Sequence, residues 1–296
     1  MRLSVRLSVD TKREKMSLSN IIKSLHKQDT GTPSLIPKIE QHFMSEARSM
    51  DYEVWLDKQT RFHPSKVTYS GVCSRAYNLF MQRDRLGLTY SMPDPHETSL
   101  LRIFQHGHSI HSLYQDNILA KSGVLYGKWQ KGDEIVKGFY PGDGWTYVEP
   151  RIIWKEYNMS GYCDGIVVLD GKFVVLEIKS SNSQSFKYMK ATRTPRDSHV
   201  KQAQLYIHAP NDLELEHEIV GSIILYVNKD TGEELEFYVK KDYALISPIL
   251  DAISNAKKDL EYNVIAPRLP ECKTKSSKRA KDCVSCSQCF MRDDYV

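Results

Sequence analysis

Two β-rich runs joined by an Asp-Gly dipeptide at 170–171 constrain the fold of this chain more than any other feature. Residues 161–169 and 172–180 are rich in valine, isoleucine and leucine. An Asp-Gly pair between such runs predicts a β-hairpin with a two-residue loop. A loop of that length pairs Leu169 with Lys172, and this pair sets the register of both strands.

The predicted register brings two acidic side chains together. Counting outward from the turn, Asp164 faces Glu177 and Tyr162 faces Lys179. Directly opposed residues share a face of the sheet, with Cβ atoms roughly 5 Å apart, and like charges there are unfavourable without a cation between them. Hard ions such as Mg²⁺ bind carboxylate oxygens. The hairpin therefore predicts a divalent metal site, with a lysine on the same face.

A metal held by Asp164 and Glu177 suits phosphodiester hydrolysis, because it lowers the pKa of bound water and clamps a phosphate oxygen. The carbonyl oxygen of Ile178 is a further candidate ligand. Lys179 is a candidate for positioning the water, neutralising charge or acting as a base, and a base would need a lowered pKa. The alternative is an exposed Glu177–Lys179 ion pair, but Asp164 in an otherwise apolar hairpin favours the metal site.

Two predicted helices carry further polar candidates. Residues 98–119 have helical periodicity and include His111, which could complete the metal coordination or could be a solvated or core histidine. In the predicted helix 197–209, Gln202 and Tyr206 are four residues apart and share a face. That face could contact a nucleic-acid backbone or orient the lysine, although an ordinary surface helix explains the spacing as well.

A resemblance to a known family rests on seven residues: His111, Asp164, Glu177-Ile178-Lys179, Gln202 and Tyr206. Together they resemble the PD-(D/E)XK nuclease superfamily, in particular the branch with the RecB nuclease domain and the Cas4 exonucleases. The resemblance implies an α/β fold: a restriction-endonuclease-like central mixed sheet flanked by helices, with a Cys-rich C-terminal appendage. It implies Mg²⁺ or Mn²⁺ bound by His111, Asp164, Glu177 and Ile178. It implies catalytic roles for Asp164, Glu177, Lys179, Gln202 and Tyr206.

The activity implied by the resemblance is a metal-dependent DNA exonuclease of recombination, repair or replication. Its partners would be single-stranded DNA or duplex ends, together with recombination or replication proteins. A structure-specific endonuclease of the same fold is one alternative. A non-catalytic nucleic-acid-binding module with a zinc tail is another, although the intact Asp164, Glu177 and Lys179 argue against a relic site. The formal net charge of +4 permits a nucleic-acid partner without requiring one.

Three of the six cysteines, Cys283, Cys286 and Cys289, crowd into the motif CVSCSQC. In an intracellular chain this spacing favours metal or cluster ligation over disulfides. The resemblance implies that Cys73 joins them to hold a [4Fe-4S] cluster. The last two cysteines are closer together than is usual in Cas4-type proteins, and Cys272 is a spare candidate. Zn²⁺ bound by Cys272 and the three motif cysteines therefore stays open.

The chain as a whole predicts three parts: an N-terminal extension over 1–45, a nuclease core over 46–270, and a basic, Cys-rich tail over 271–296 that packs back on the core. Other predicted elements are helices at 18–25, 46–62, 70–85 and 244–260, a strand at 145–154, and a hairpin of 219–228 with 234–239. No apolar run approaches the roughly 18 residues of a membrane span, and the start lacks a secretory signal. We therefore expect a cytoplasmic protein, in the host cell if it is viral, with no membrane partner.

Overall fold

The computed structural model describes residues 35–47, 51–93 and 97–291. The predicted helix at 18–25 lies outside these ranges. Within them, no helix has the length and apolar character that crossing a membrane requires.

The described residues form a seven-stranded mixed sheet and a separate two-stranded one. The strands are β1 (Leu125–Lys131), β2 (Glu134–Phe139), β3 (Thr146–Val148), β4 (Arg151–Trp154), β5 (Met159–Tyr162), β6 (Gly165–Leu169), β7 (Lys172–Ser181), β8 (Ile219–Asn228) and β9 (Glu234–Lys240). The large sheet has the order β2-β1-β6-β7-β8-β9, with β3 paired to β1, while β4 and β5 form the small sheet. Strands β7 and β8 are parallel and the other pairs are antiparallel.

Helices cover the large sheet on both faces. They are α1 (Ile36–Ala47), α2 (Tyr52–Gln59), α3 (Pro64–Ser70), α4 (Ser74–Met81), α5 (Arg83–Leu86), α6 (Thr98–Ser112), α7 (Leu119–Lys121), α8 (Ser183–Thr192), α9 (Asp197–His208), α10 (Ser247–Glu261), α11 (Lys278–Lys281) and α12 (Cys286–Met291). A π-helical segment, Leu113–Ile118, joins α6 to α7, and 3₁₀ turns lie at Lys155–Tyr157 and Tyr243–Leu245. The arrangement confirms the predicted α/β class, with a central mixed sheet flanked by helices.

The alternation of side chains along β7 divides the core into two layers. Phe173 and Val175 pack in one hydrophobic cluster with α9 and α10. Val174 and Ile178 pack in the other, which includes Trp129 of β1 and residues of α6 and the π-helical segment. Glu177 and Lys179 belong to the odd-numbered face of β7, which is the face that α9 covers.

The hairpin has the predicted register as far as it extends. Leu169 pairs with Lys172, and Gly165 pairs with Leu176. Asp170 and Gly171 have φ values of 48° and 73°, as a two-residue type I′ loop requires. Beyond this ladder, β7 pairs with β8 alone.

Two predicted strands are wrong in the same way, because each is divided between two sheets. The strand predicted over 145–154 becomes β3 and β4, separated by Glu149 and Pro150. The strand predicted over 161–169 becomes β5 and β6, so that Tyr162 pairs with Arg151 of β4 and does not face Lys179.

The physical reason is that the two interruptions, at 149–150 and at 163–164, lie side by side and are joined by a backbone hydrogen bond. The Cys163 N–H donates to the Pro150 carbonyl at 3.1 Å, while proline itself has no N–H for a ladder. Both segments change sheets at this point: the chain leaves the large sheet after β3 and returns to it at β6. As a result, Glu149 and Asp164 lie in adjacent breaks.

The predicted helices over 46–62 and 70–85 are shorter or divided in the structure. The first contains α2, and the second is divided into α4 and α5 at Gln82. Cys73 precedes α4 as its N-cap, with Sγ accepting the Ala76 N–H at 3.4 Å.

Candidate active site

Asp164 lies in the break before β6 and is almost fully buried. Its Oδ2 accepts the backbone N–H of Ile178 at 2.5 Å. This bond replaces the ladder contact that the hairpin would have made at this position. It fixes the Asp164 carboxylate beside β7, next to Glu177.

Glu177 is 1% exposed and lies in the middle of the large sheet. The Lys179 ammonium donates to its Oε1, whereas Oε2 is buried without a hydrogen-bond partner. Burial, and after it the charge of Asp164, raises the pKa of Glu177. An unpaired buried carboxylate oxygen is costly, so this atom is a place for a cation.

Lys179 is a charged donor in this arrangement. Burial on its own would lower the pKa of Lys179, but Glu177 and Asp164 outweigh it and raise that pKa. These are the charges of the site without a bound cation, so the role of Lys179 as a base stays a prediction. Positioning the water and neutralising charge are the roles that this ammonium fits.

His111 lies next to Asp164, as the sequence predicts. Its Nδ1 is 3.3 Å from Asp164 Oδ1. Burial would lower the pKa of His111, but the hydrogen bond and the charge of Asp164 raise it overall. Helix α6 approaches β7 closely here, because a Cβ added at Gly107 would lie 3.6 Å from Ser180 Oγ.

Two further residues of the site escaped the sequence analysis. Gln115, in the π-helical segment, donates through Nε2 to Glu149 Oε1 at 2.9 Å and to the Asp164 carbonyl at 2.7 Å. Burial raises the pKa of Glu149, the Gln115 hydrogen bond lowers it, and Asp164 raises it. The one available signal was a carboxylate directly before Pro150, inside an apolar strand pattern.

The group that could hold a metal therefore differs from the predicted one. His111, Glu149 and Asp164 each offer a ligand atom within 4.8 Å of the others, and no other such trio occurs among the residues that the structure describes. Glu177 is outside this trio, although the charges of Asp164 and His111 both act on its pKa. Ile178 presents its N–H to the site through Asp164. One imidazole nitrogen and two carboxylates form a donor set that suits a divalent cation such as Mg²⁺ or Mn²⁺.

The polar residues of α9 lie behind the site. Gln202 Nε2 donates to the Tyr206 hydroxyl at 3.1 Å, and both side chains are buried. Burial, followed by the charge of Glu177, raises the pKa of Tyr206. The pair therefore lies close to Glu177, and its predicted contact with substrate stays a prediction.

His199, also on α9, is hydrogen-bonded to the Tyr226 hydroxyl. The Tyr226 hydroxyl oxygen accepts the Arg196 N–H at 3.1 Å. The Tyr226 proton can then go to His199 Nδ1, 2.8 Å away. Burial, Lys179 and Arg196 lower the pKa of His199 to about 3. Tyr226 faces Lys179 across the parallel ladder, so these residues surround the lysine.

A second cluster of ligating residues lies at the C-terminal tail. The cysteine cluster consists of the five cysteines that line one small cavity: Cys73, Cys272, Cys283, Cys286 and Cys289. All are free thiols, and Cys163 is buried separately in the core. The tail is tied to α4 through Ser285 Oγ, which donates to the Ala76 carbonyl at 2.9 Å.

The sulfurs of the cysteine cluster are spaced more widely than a zinc site requires. Tetrahedral Zn²⁺ with Zn–S bonds of about 2.3 Å places sulfurs about 3.8 Å apart. Across the described parts of the chain, no three cysteine sulfurs lie within 4.8 Å of one another. Burial raises the pKa of Cys73, and it raises that of Cys283 to about 11. A bound metal would hold these groups as thiolates.

Arg75 is the charged neighbour of this cluster. It is 2% exposed, and its Nε donates to Cys289 Sγ at 3.2 Å. One Nη donates to the Ala266 carbonyl at 3.0 Å. A metal or cluster bound by Cys289 would therefore have a buried guanidinium within hydrogen-bond distance of one of its sulfur ligands.

Comparison with solved structures finds proteins that are similar at low identity. An alkaline exonuclease (LHK-Exo) from Laribacter hongkongensis is 16% identical with a TM-score of 0.43, and the match covers 71% of this chain and 93% of that chain. The same exonuclease in complex with dAMP gives 15% identity and a TM-score of 0.41, with the same coverage. SSO0001 gives 15% identity and a TM-score of 0.36, covering 89% of this chain and 98% of that chain.

No protein-family model matches the chain, and no curated protein matches it. At these identities and TM-scores, function has to be inferred from the residues of this chain.

Proposed function

We propose that this protein is a metal-dependent nuclease that hydrolyses phosphodiester bonds in DNA. The observation that carries the proposal is the buried Glu177 carboxylate, with Oε2 unpaired, Lys179 on Oε1 and Asp164 beside it. Two neighbouring buried carboxylates are costly, and the Lys179 ammonium contacts only one oxygen of Glu177, so the arrangement is that of a candidate functional site.

Some residues of the site would bind the metal, and the others would position the water or the metal ligands. His111, Glu149 and Asp164 would hold a divalent cation, with Glu177 next to it. When bound, such a cation supplies Lewis-acid stabilisation and an activated water. Lys179, as an ammonium, positions that water or neutralises charge on the phosphate oxygens. Gln115 orients Glu149 and Asp164 through its two hydrogen bonds. The buried Gln202–Tyr206 pair lies close to Glu177.

A basic segment beside the site supports nucleic acid as the substrate. Residues 183–196 carry four cations and no carboxylate: Lys187, Lys190, Arg193 and Arg196. The segment directly follows β7, and both Arg196 and Lys179 lower the pKa of His199. Arg196 acts on the same histidine as Lys179, Lys190 pairs with Glu233, and phosphate contacts along the segment would make binding depend on salt.

Exonuclease action on single strands or duplex ends is the activity that we propose, in line with the motif resemblance. We further propose that the cysteine cluster holds a [4Fe-4S] group through Cys73, Cys283, Cys286 and Cys289. Cys73 lines the same small cavity as the three motif cysteines, which supports it as the fourth ligand, and Zn²⁺ bound with Cys272 is the alternative. Ligation would fix the tail to α4, which begins directly after Cys73.

The test is degradation of labelled linear and circular DNA in Mg²⁺ or Mn²⁺ by anaerobically purified protein. Glu177→Gln and Lys179→Ala should each lose at least about a hundredfold in rate. Glu236→Gln removes an exposed carboxylate from β9 and should cut like the wild type.

Each outcome has a defined meaning. Cutting of linear DNA alone supports an exonuclease, whereas cutting of circles supports an endonuclease of the same site. Equal cutting by wild type and Glu177→Gln would contradict the proposed site. Wild-type protein that binds DNA without cutting any form would instead support a binding module.

A further inference from the structure

A large cavity lies between the helices that precede the sheet and the C-terminal tail. Its volume is about 510 Å³, and its walls come from α2 to α4 on one side and from residues 271–284 on the other. Pockets of this size hold small organic ligands. His111, Asp164, Glu177 and Lys179 do not line it.

The cavity is separate from the carboxylate site but adjoins the cysteine cluster, because Cys73, Cys272 and Cys283 line both cavities. Helix α3 lines it and also contacts α9, which carries Gln202 and Tyr206. The packing is tight on that side, because a Cβ added at Gly161 would lie 2.9 Å from Pro64 Cδ. A ligand in the cavity therefore lies across α3 from the proposed reaction.

The lining combines an apolar wall with a cationic surround. Buried apolar side chains form the wall: Phe62, Val67, Tyr77 and Phe80. Four cations and two carboxylates also line the cavity: Arg61, Lys66, Lys278 and Arg279, with Glu271 and Asp282.

Two of these cations are free to meet an anion. Arg61 pairs with Asp57, and Arg279 pairs with Glu271. In the described parts of the chain, Lys66 and Lys278 have no carboxylate partner, and Lys66 Nζ meets the neutral Gln59 amide oxygen at 3.2 Å. Lys66 is exposed at the cavity, where a phosphate can reach it.

Tyr69 supplies an aromatic surface at the cavity. Its side chain is 81% exposed although it lines the cavity. Exposed aromatic rings next to cations are the usual components of sites that stack a base and bind its phosphate.

We propose that this cavity is a second binding site for a nucleoside phosphate. The base would lie against the aromatic and apolar wall near Tyr69, and the phosphate would meet Lys66 and Lys278. The ligand is a free nucleotide or one nucleotide of a strand, and its use with a strand rests on the proposed nuclease function. The N-terminal segment of this chain is a poor occupant, because residues 1–15 carry five cations against two carboxylates.

The test measures binding of AMP by calorimetry with the full chain in EDTA, where hydrolysis is prevented. Lys66→Gln and Tyr69→Ala should each weaken AMP about tenfold, the size expected for one charge-assisted contact or one stacked base. Lys172→Gln at the hairpin and Tyr262→Ala at the end of α10 are matched exposed controls, and they should bind AMP like the wild type. Lys66→Arg should restore binding.

A second experiment asks whether the cavity binds a DNA strand or a free nucleotide. It also distinguishes binding in the cavity from binding at the active site. Anisotropy of labelled oligo(dT) with AMP as competitor supports strand binding in the cavity if Lys66→Gln weakens the oligonucleotide and AMP displaces it in part. AMP binding without displacement supports a site for free nucleotides. Glu177→Gln should stop cleavage and leave AMP affinity unchanged, so failure of the nuclease proposal is visible independently. The inference would be overturned if the wild type did not bind AMP. It would also be overturned if Lys66→Gln and Tyr69→Ala bound AMP as tightly as the wild type.

Discussion

The backbone N–H of Ile178 and Asp164 Oδ2 are joined by a 2.5 Å hydrogen bond between β7 and the break before β6. The bond uses one carboxylate oxygen and directs the other, Oδ1, toward His111. Asp164 therefore has two separable duties: it satisfies a buried N–H, and it supplies negative charge to the proposed metal site.

Asp164→Asn should separate these duties. The asparagine oxygen can still accept the Ile178 N–H, so the thermal midpoint should stay within a few degrees of wild type. Without the charge, Mn²⁺ affinity measured by calorimetry should fall at least about tenfold. Asp164→Ala should lose the affinity and also about 1–3 kcal/mol of unfolding free energy, because the buried N–H then has no partner. Wild-type Mn²⁺ affinity in the asparagine variant would contradict the assignment.

The hairpin and its residues could be predicted from sequence because the information is local. Asp170-Gly171 sets the turn, and counting from the turn places Asp164 beside Glu177. Helical periodicity placed His111 in a helix together with His106 and His108, and only the family resemblance selected it from the three.

The position of Glu149 could not be predicted, because it depends on contacts distant in sequence. The Cys163 N–H donates to the Pro150 carbonyl, and Tyr162 pairs with Arg151. Each of these two segments therefore changes from one sheet to the other at that point. Periodicity of two describes a strand without saying which sheet it joins. The π-helical segment that carries Gln115 is likewise invisible to a pattern with helical period.

Glu149→Gln tests the residue that the sequence analysis missed. If Glu149 is a ligand, Mn²⁺ affinity should fall roughly tenfold or more. Folding stability in EDTA should stay equal or rise slightly, because burial and the neighbouring Asp164 charge raise the pKa of Glu149 and disfavour its ionised form. Calorimetry and urea unfolding give the two values. Unchanged Mn²⁺ affinity would remove Glu149 from the ligand set.

Arg75→Gln tests the cysteine cluster. Loss of the guanidinium from Cys289 Sγ should reduce the metal and sulfide retained after anaerobic purification, and Arg75→Lys should retain an intermediate amount. Elemental analysis and the visible absorption of the protein measure this directly, without an activity assay. Arg83→Gln, which removes an arginine from α5, is the control. Equal iron and absorption in all four proteins would contradict a role for Arg75, while zinc without iron would favour the alternative metal.

His199 predicts a specific dependence of stability on pH. Its pKa is lowered to about 3 in the folded chain, against about 6.5 when unfolded. Below pH 6.5 the unfolded state therefore binds a proton that the folded state refuses, and stability falls as the pH drops from about 6.5 toward 3. The groups that act on the ring are Tyr226, Lys179 and Arg196. After allowance for partial solvent exposure, the loss at pH 4.5 should be about 1–2 kcal/mol.

His199→Gln isolates this contribution, because glutamine can accept from Tyr226 but does not titrate. Urea unfolding at pH 7.5, 5.5 and 4.5 should show the wild type losing more stability than the variant at each step, since all other titrating groups are common to both proteins. The pH-dependent loss of stability that only the wild type shows should be largest at pH 4.5. It should be absent at pH 7.5, where the histidine ring is neutral in the folded and unfolded states. Parallel curves for the two proteins would mean that His199 accepts a proton while folded, and the Tyr226 hydroxyl would then have to direct its proton elsewhere.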